Sequence, residues 1–297
     1  MNILISGSSG LIGSAVARDL FDCGHRIRRL VRDESRKETG DILWDPEAGV
    51  IHDKDGMNDI DAVVHFAGSS IIGRWTDEKK EQIRSSRVRG TEALAQAIAS
   101  LDKKPGSFIS ASAIGYYGNR GEEIITEQSG PGNDFLAGVC RDWEAATEIA
   151  EKNGIRVVNM RIGMVLSPDG GALGNMLTPF KLGLGGRIGS GRQYMSWISI
   201  TDLCSIVRFI LDTPDLTGPV NLVSPTPVTN TEFTKTLGSV LSRPTIFPMP
   251  AKVARMIFGE LADSLLLTSQ RIMPERLQEA GYTFTHGILE ETLKDIL

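Results

Sequence analysis

No apolar run in the sequence approaches the ~20 residues that a membrane-spanning helix needs, so no bilayer-crossing segment is expected. The opening residues, Met1-Asn2-Ile3-Leu4-Ile5-Ser6-Gly7, lack the basic start, apolar stretch and small-residue cleavage site of a signal peptide. Cysteine is scarce. Cys23, Cys140 and Cys204 are odd in number and widely spaced, which argues against a disulfide framework or a CxxC metal site and for a reducing compartment. The four histidines (His25, His52, His65, His286) show no ligand spacing, so no metal is expected. The net charge of −5 is spread along the chain without a basic stripe, which argues against nucleic-acid binding. Repeats and low-complexity tracts are also missing. These absences leave a soluble, cytoplasmic globular protein; a small-molecule substrate and a monomer or homodimer are separate expectations.

What is there is ordinary globular material. Apolar residues make up 41% and charged residues 23% of 297 residues, enough for one large α/β unit and a smaller lobe. Short apolar runs alternate with longer amphipathic stretches over the first two-thirds, as in a parallel sheet with crossover helices. Strands are expected at 2–6, 27–31, 42–44, 62–66, 107–111 and 157–160. Leu11, Ile12, Ala15, Val16 and Leu20 recur at helical spacing, and Gly24 closes that helix. Further helices are expected at about 76–100, with a break near Ser85-Ser86, and at 134–152. The expected fold is α/β, a doubly wound, Rossmann-like parallel sheet with a smaller C-terminal α+β lobe.

The character changes after Arg161. Residues 163–192 are glycine-rich and read as a long irregular segment around one helix. Residues 197–200 and 202–211 read as strand and helix, and 219–223 as another strand. Thr229, with Glu232 three residues on, is a capping-box start for a helix reaching about Leu241. The expected division is a dinucleotide-binding domain of 1–162 plus 196–223, and a substrate lobe of 163–195 plus 224–297.

Gly7-Ser8-Ser9-Gly10-Leu11-Ile12-Gly13 lies between the first strand and its helix. A phosphate-cradling loop needs glycine where the backbone turns, where it nears the ligand, and where helix meets strand. Gly7, Gly10 and Gly13 fall at those places, so free amides at the helix start, with Ser8, Leu11 and Ile12, face a pyrophosphate. The end of the second strand selects the dinucleotide. An acid there would bind the ribose 2′-OH of NAD, whereas an arginine accommodates the extra phosphate of NADP. Leu30-Val31-Arg32 presents Arg32, so NADP is expected, although Asp33 follows one step later.

The glycine loop, His65-Phe66-Ala67-Gly68, Arg87-Val88-Arg89-Gly90-Thr91, and Ser112 followed by Tyr116-Tyr117-Gly118 resemble the extended short-chain dehydrogenase/reductase superfamily. Arg74-Trp75-Thr76, Trp143-Glu144-Ala145-Ala146, Gly183-Leu184-Gly185-Gly186 and Ser196-Trp197-Ile198 resemble, more narrowly, its epimerase family protein subgroup. The resemblance implies NADP-dependent oxidoreductase or epimerase chemistry, with a nucleotide sugar as one candidate substrate. It implies that Phe66, Ala67 and Gly68 line the cofactor ribose and pyrophosphate, and that Met164 and Val165 lie near the nicotinamide.

Two departures stand out. Arg87 replaces the superfamily's usual asparagine and, with Gln82 earlier on the same helix, is placed to reach cofactor phosphate or hydroxyls. The superfamily's Tyr-x-x-x-Lys pair, its acid/base and the lysine that tunes it, is absent. Aligning on Glu144 puts Leu136 and Cys140 at those positions, and shifting by one puts Phe135 and Val139 there. Ser112 with Tyr116 or Tyr117 is left to act. If Tyr116 takes the superfamily's tyrosine-glycine position, Ser112 is the expected serine; if Tyr117 does, that site is Ala113. Arg187, Arg192 and Trp197 in the glycine-rich segment are candidates to clamp and stack a substrate nucleotide. The alternative is an NADPH-binding sensor or interaction protein that has lost the chemistry.

Overall fold

The computed structural model describes residues 1–52 and 55–297. The chain runs β1 (Asn2–Ser6), α1 (Leu11–Asp22), β2 (Arg26–Val31), β3 (Ile42–Asp45), β4 (Val50–Ile51), β5 (Ala62–His65), α2 (Asp77–Ala99) and β6 (Ser107–Ala113). Then follow β7 (Ile124–Ile125), α3 (Phe135–Ala145), α4 (Glu148–Lys152), β8 (Arg156–Ile162), β9 (Met164–Leu166) and α5 (Gly171–Lys181). The remainder is β10 (Tyr194–Met195), β11 (Trp197–Ser199), α6 (Ile200–Asp212), β12 (Gly218–Leu222), β13 (Val228–Thr229), α7 (Asn230–Val240), α8 (Ala251–Phe258), β14 (Arg271–Ile272), α9 (Glu275–Glu279) and α10 (Leu289–Ile296).

Eight strands form one sheet in the order β12-β8-β6-β5-β1-β2-β3-β4, parallel except for the β3–β4 hairpin. Its two faces can be read from residue parity. Ile3, Ile5, Val64, Ile109, Val158 and Met160 face one core, shared with α1 and α6. Leu4, Val63, Phe108 and Val157 face the other, shared with α2 and α4. Burial on both faces explains the near-continuous apolar runs of the parallel strands. A third core, including Leu173, Phe180, Phe233 and Leu293, holds α5, α7 and α10 together as the smaller C-terminal part. The chain leaves β1 for β2 on one side and returns to β5 on the other, which opens a crevice beyond the carboxyl ends of β1 and β5. No helix among the described residues is long and apolar enough to cross a membrane.

Several local expectations are corrected. Helix α2 has no break at Ser85-Ser86, because the Ser86 hydroxyl bonds back to Ile83 O and to Ser69 without displacing the helix. Residues 134–152 are two helices, with Thr147 at the junction donating its hydroxyl to Glu144 O. Strand β11 pairs with β9 rather than joining the central sheet, because β12 already occupies the edge of β8. The capping box at Thr229 and Glu232 is present.

Candidate functional site

The glycine loop follows from its neighbours. Gly7 has φ +70°, and a side chain there would press on the Phe66 backbone at 2.7 Å. A Cβ at Gly13 would run into the Gly7 carbonyl. Gly10 differs: the nearest atom to its Cβ would be Gly7 O at 3.4 Å, so the protein leaves room there. Among the described residues no side chain caps the start of α1, and the first amides of a helix have no partner within it. With the helix dipole they make this helix end, at the β1–β5 crevice, suited to an anion. Leu11 reaches the turn at Gly170 and Gly171, tying this helix end to the segment after β9.

Arg32 is exposed beyond β2 and lines a hollow of about 300 Å³ with Leu43, Trp44, Asp45, Glu47 and His52. Asp33 is turned to local structure, its carboxylate accepting from the amide and hydroxyl of Ser35. Asp45 is likewise occupied by the amides of Glu47 and Ala48. Arg32 therefore presents a cation in the hollow at the carboxyl ends of β2 and β3.

On the opposite wall, Phe66, Ala67 and Gly68 follow β5. Behind them His65 is fully buried, bonded to Ser6 at 2.6 Å and Thr91 at 3.0 Å. Burial pulls its pKa down to about 3, so the imidazole is neutral. Arg87 is no surface charge. It lies against Gly68, donates to Ser69 O and Ile83 O, and stands 5.0 Å over the Trp143 ring. Burial lowers its pKa, and among the described residues no carboxylate forms an ion pair with it. Gln82 is exposed, and its side chain accepts from Lys79 rather than joining Arg87.

At the carboxyl end of β6, Ser112 donates to Glu144 at 2.7 Å. Glu144 also receives two bonds from Arg161, both at 2.9 Å. Burial works against the Arg161 cation, but the Glu144 carboxylate outweighs it and holds its pKa above the ordinary value. The 3-10 turn Ile114–Tyr117 sends the two tyrosines to different fates. Tyr117 is fully buried, donates to Asn221 and accepts from Arg161, and burial pushes its pKa up to about 12. This corrects the expectation for Tyr117: its hydroxyl is spent inside the protein. Tyr116 is half-buried, its ring 3.5 Å from the Arg161 guanidinium, and its hydroxyl makes no hydrogen bond to any described residue. Leu136 and Cys140 lie under this turn, since a Cβ at Gly115 would meet both. Burial pushes the Cys140 thiol up to about 12, so it is an apolar filler rather than a thiolate.

The glycine-rich segment disperses its three candidates. Trp197 is fully buried, its indole donating to Thr226 O, and it packs in the third core. That corrects its reading as a stacking residue. Val165 is paired in β9 against Ile198. Arg187 and Arg192 are exposed, and Arg187 lines a separate hollow formed with α7. Glu144 and Arg161 were not among the site residues read from sequence. The available signal was an arginine near the end of a largely apolar strand, which a buried parallel strand admits only with a partner.

Residues 3–222 match the NAD dependent epimerase/dehydratase family, and 249–296 match a domain of unknown function, DUF1731. The Mycobacterium tuberculosis Epimerase family protein MT2273 is 44% identical over 292 residues, covering 98% of this chain and 96% of that one. Epimerase family protein YfhF of Bacillus subtilis is 34% identical over 301 residues, covering 100% and 98%. The crystal structure of human epimerase family protein SDR39U1 with NADPH superposes with a TM-score of 0.90 at 32% identity, covering 100% of this chain and 99% of that one. A Corynebacterium glutamicum nucleoside-diphosphate sugar epimerase gives a TM-score of 0.82 at 36% identity, with 100% of this chain matching 58% of that one. The loop, the switch-point crevice and these likenesses agree: the chain belongs to the NAD dependent epimerase/dehydratase family.

Proposed function

We propose that this protein is an NADP(H)-dependent oxidoreductase or epimerase-like enzyme, in which residues 1–162 plus 196–223 hold the cofactor and the rest forms a substrate lobe. The carrying observation is the uncapped start of α1 above Gly10, where the protein itself leaves space for a phosphate. Arg32 supports NADP over NAD, and the human relative crystallised with NADPH supports it independently. Arg87, a mostly enclosed cation without a carboxylate partner among the described residues, fits a cofactor phosphate or hydroxyl beside Gly68. Bound NADPH would supply the hydride.

The chain's own residues supply position and a proton. Ser112 gives its hydrogen to Glu144, so it offers lone pairs to a substrate hydroxyl. Tyr116, clamped over Arg161 with its hydroxyl uncommitted, is the proton donor for a substrate carbonyl oxygen. A nucleotide sugar fits this reading, as does a simpler polar carbonyl compound.

The test incubates purified protein and NADPH with nucleotide sugars and simple carbonyl compounds, following reduced-nicotinamide absorbance and product stereochemistry. Turnover is expected, and Tyr116→Phe should lower kcat by about 10²–10⁴-fold. Full activity in Tyr116→Phe would remove the tyrosine from the reaction. Tight NADPH retention without turnover would favour the second reading, a non-catalytic NADPH sensor, to which Leu136 and Cys140 already point.

A further inference from the structure

Away from the crevice, a hollow of about 270 Å³ opens between the Arg187 loop, α7 and the chain at 245–248. Arg187, Thr231, Thr234, Lys235 and Thr245 line it, and among the described residues the only charged ones lining it are cations. Glu232, on the same turn of α7, is turned back to Thr229 by the capping box. Spacing along the helix puts Thr231, Thr234 and Lys235 on one face.

Thr234 is the informative residue. It is only 4% exposed, and its hydroxyl makes no hydrogen bond to any described residue. The hydroxyls of Thr231 and Thr245 are likewise uncommitted among the described residues. The Thr234 oxygen still reaches solvent, and Thr231 and Thr245 are half-buried. Three hydroxyls without a partner among the described residues and two cations thus belong to residues lining one hollow.

The walls are also built closely. Gly191, at φ +74°, lets its loop lie against Thr231 and Arg187, where any side chain would collide with the Thr231 hydroxyl. Gly238 admits the Thr245 side chain to the surface of α7 in the same way.

We propose that this hollow is a phosphate-binding site that takes the phosphate group of a phosphorylated small molecule. Five donor groups suit a tetrahedral dianion, whose oxygens point in several directions, better than a carboxylate with two coplanar oxygens. Arginine supplies paired donors to such a group and lysine a point charge. The site is separate from the cofactor crevice: none of residues 7–13, Arg32, Gly68 or Ser112 lines it.

The experiment is a calorimetric titration of the NADPH-saturated protein with inorganic phosphate and with glycerol phosphate, at constant ionic strength, with acetate as control. Saturating NADPH keeps the probe out of the cofactor's own phosphate positions. Saturable phosphate binding is expected, weakened about tenfold or more by Arg187→Gln or Lys235→Gln. Both side chains are exposed, so the variants should fold, and NADPH affinity should not change. Three results would overturn the proposal: no saturable phosphate binding, binding unaffected by either substitution, or acetate binding as tightly as phosphate.

Discussion

Gly10→Ala separates what the fold demands of the glycine loop from what a ligand demands. A side chain at Gly7 or Gly13 would strike protein backbone, so those glycines are required by packing whatever binds. At Gly10 the φ is −84° and the added methyl would meet only one oxygen, at 3.4 Å. Alanine there should change stability by no more than about 1 kcal/mol, or about 2 °C in Tm. The methyl would, however, occupy the space through which a pyrophosphate approaches the first amides of α1. Two charge-assisted bonds lost at about 1.5 kcal/mol each amount to about 3 kcal/mol, or about 100-fold in Kd. Thermal unfolding together with a fluorescence titration of NADPH reads both quantities. Gly10→Ala should keep its Tm and lose the cofactor, whereas Gly13→Ala should lose both. Unchanged NADPH affinity in Gly10→Ala would refute the placement of phosphate at this helix end.

Two further outcomes follow from the buried groups. Tyr117→Phe strands Asn221 and one arm of Arg161, and should cost about 1–3 kcal/mol in urea denaturation; an unchanged midpoint would contradict the role assigned to that hydroxyl. His65 has a folded pKa of about 3 against 6.5 unfolded, so below pH 6.5 the unfolded chain binds a proton that the native state refuses. Its contribution is therefore complete above pH 6.5 and lost as pH falls toward 3, at about 1.4 kcal/mol per unit. Between pH 7 and pH 5 that amounts to about 2 kcal/mol, a slope that His65→Gln should lack.

The sheet and the glycine loop were legible because both are written in local pattern. Parity along β1 assigns Ile3 and Ile5 to one core and Leu4 to the other, and glycine spacing marks the turn. The end at Ser112 and the two tyrosines was less legible, because its order is tertiary. Tyr116 and Tyr117 are adjacent, yet a single 3-10 turn buries one and leaves the other half-buried. Arg87 and Arg161 carry the same letter as any surface arginine, and only packing against Gly68 or Glu144 distinguishes them. Trp197 looks like a cleft aromatic in a glycine-rich stretch, but β11 pairs with β9 and turns its ring into the third core. Asp33, the apparent competitor of Arg32, is occupied by capping Ser35, an arrangement that depends on the turn at Glu34–Arg36.

The central claim is that the loop at residues 7–13, with Arg32, selects NADP(H). Parallel titrations of the protein with NADPH and NADH test it most directly. NADPH should bind at least about tenfold more tightly, as expected for one arginine–phosphate contact, and Arg32→Gln should abolish that preference. NADH binding as tightly as NADPH, or more tightly, would contradict the account.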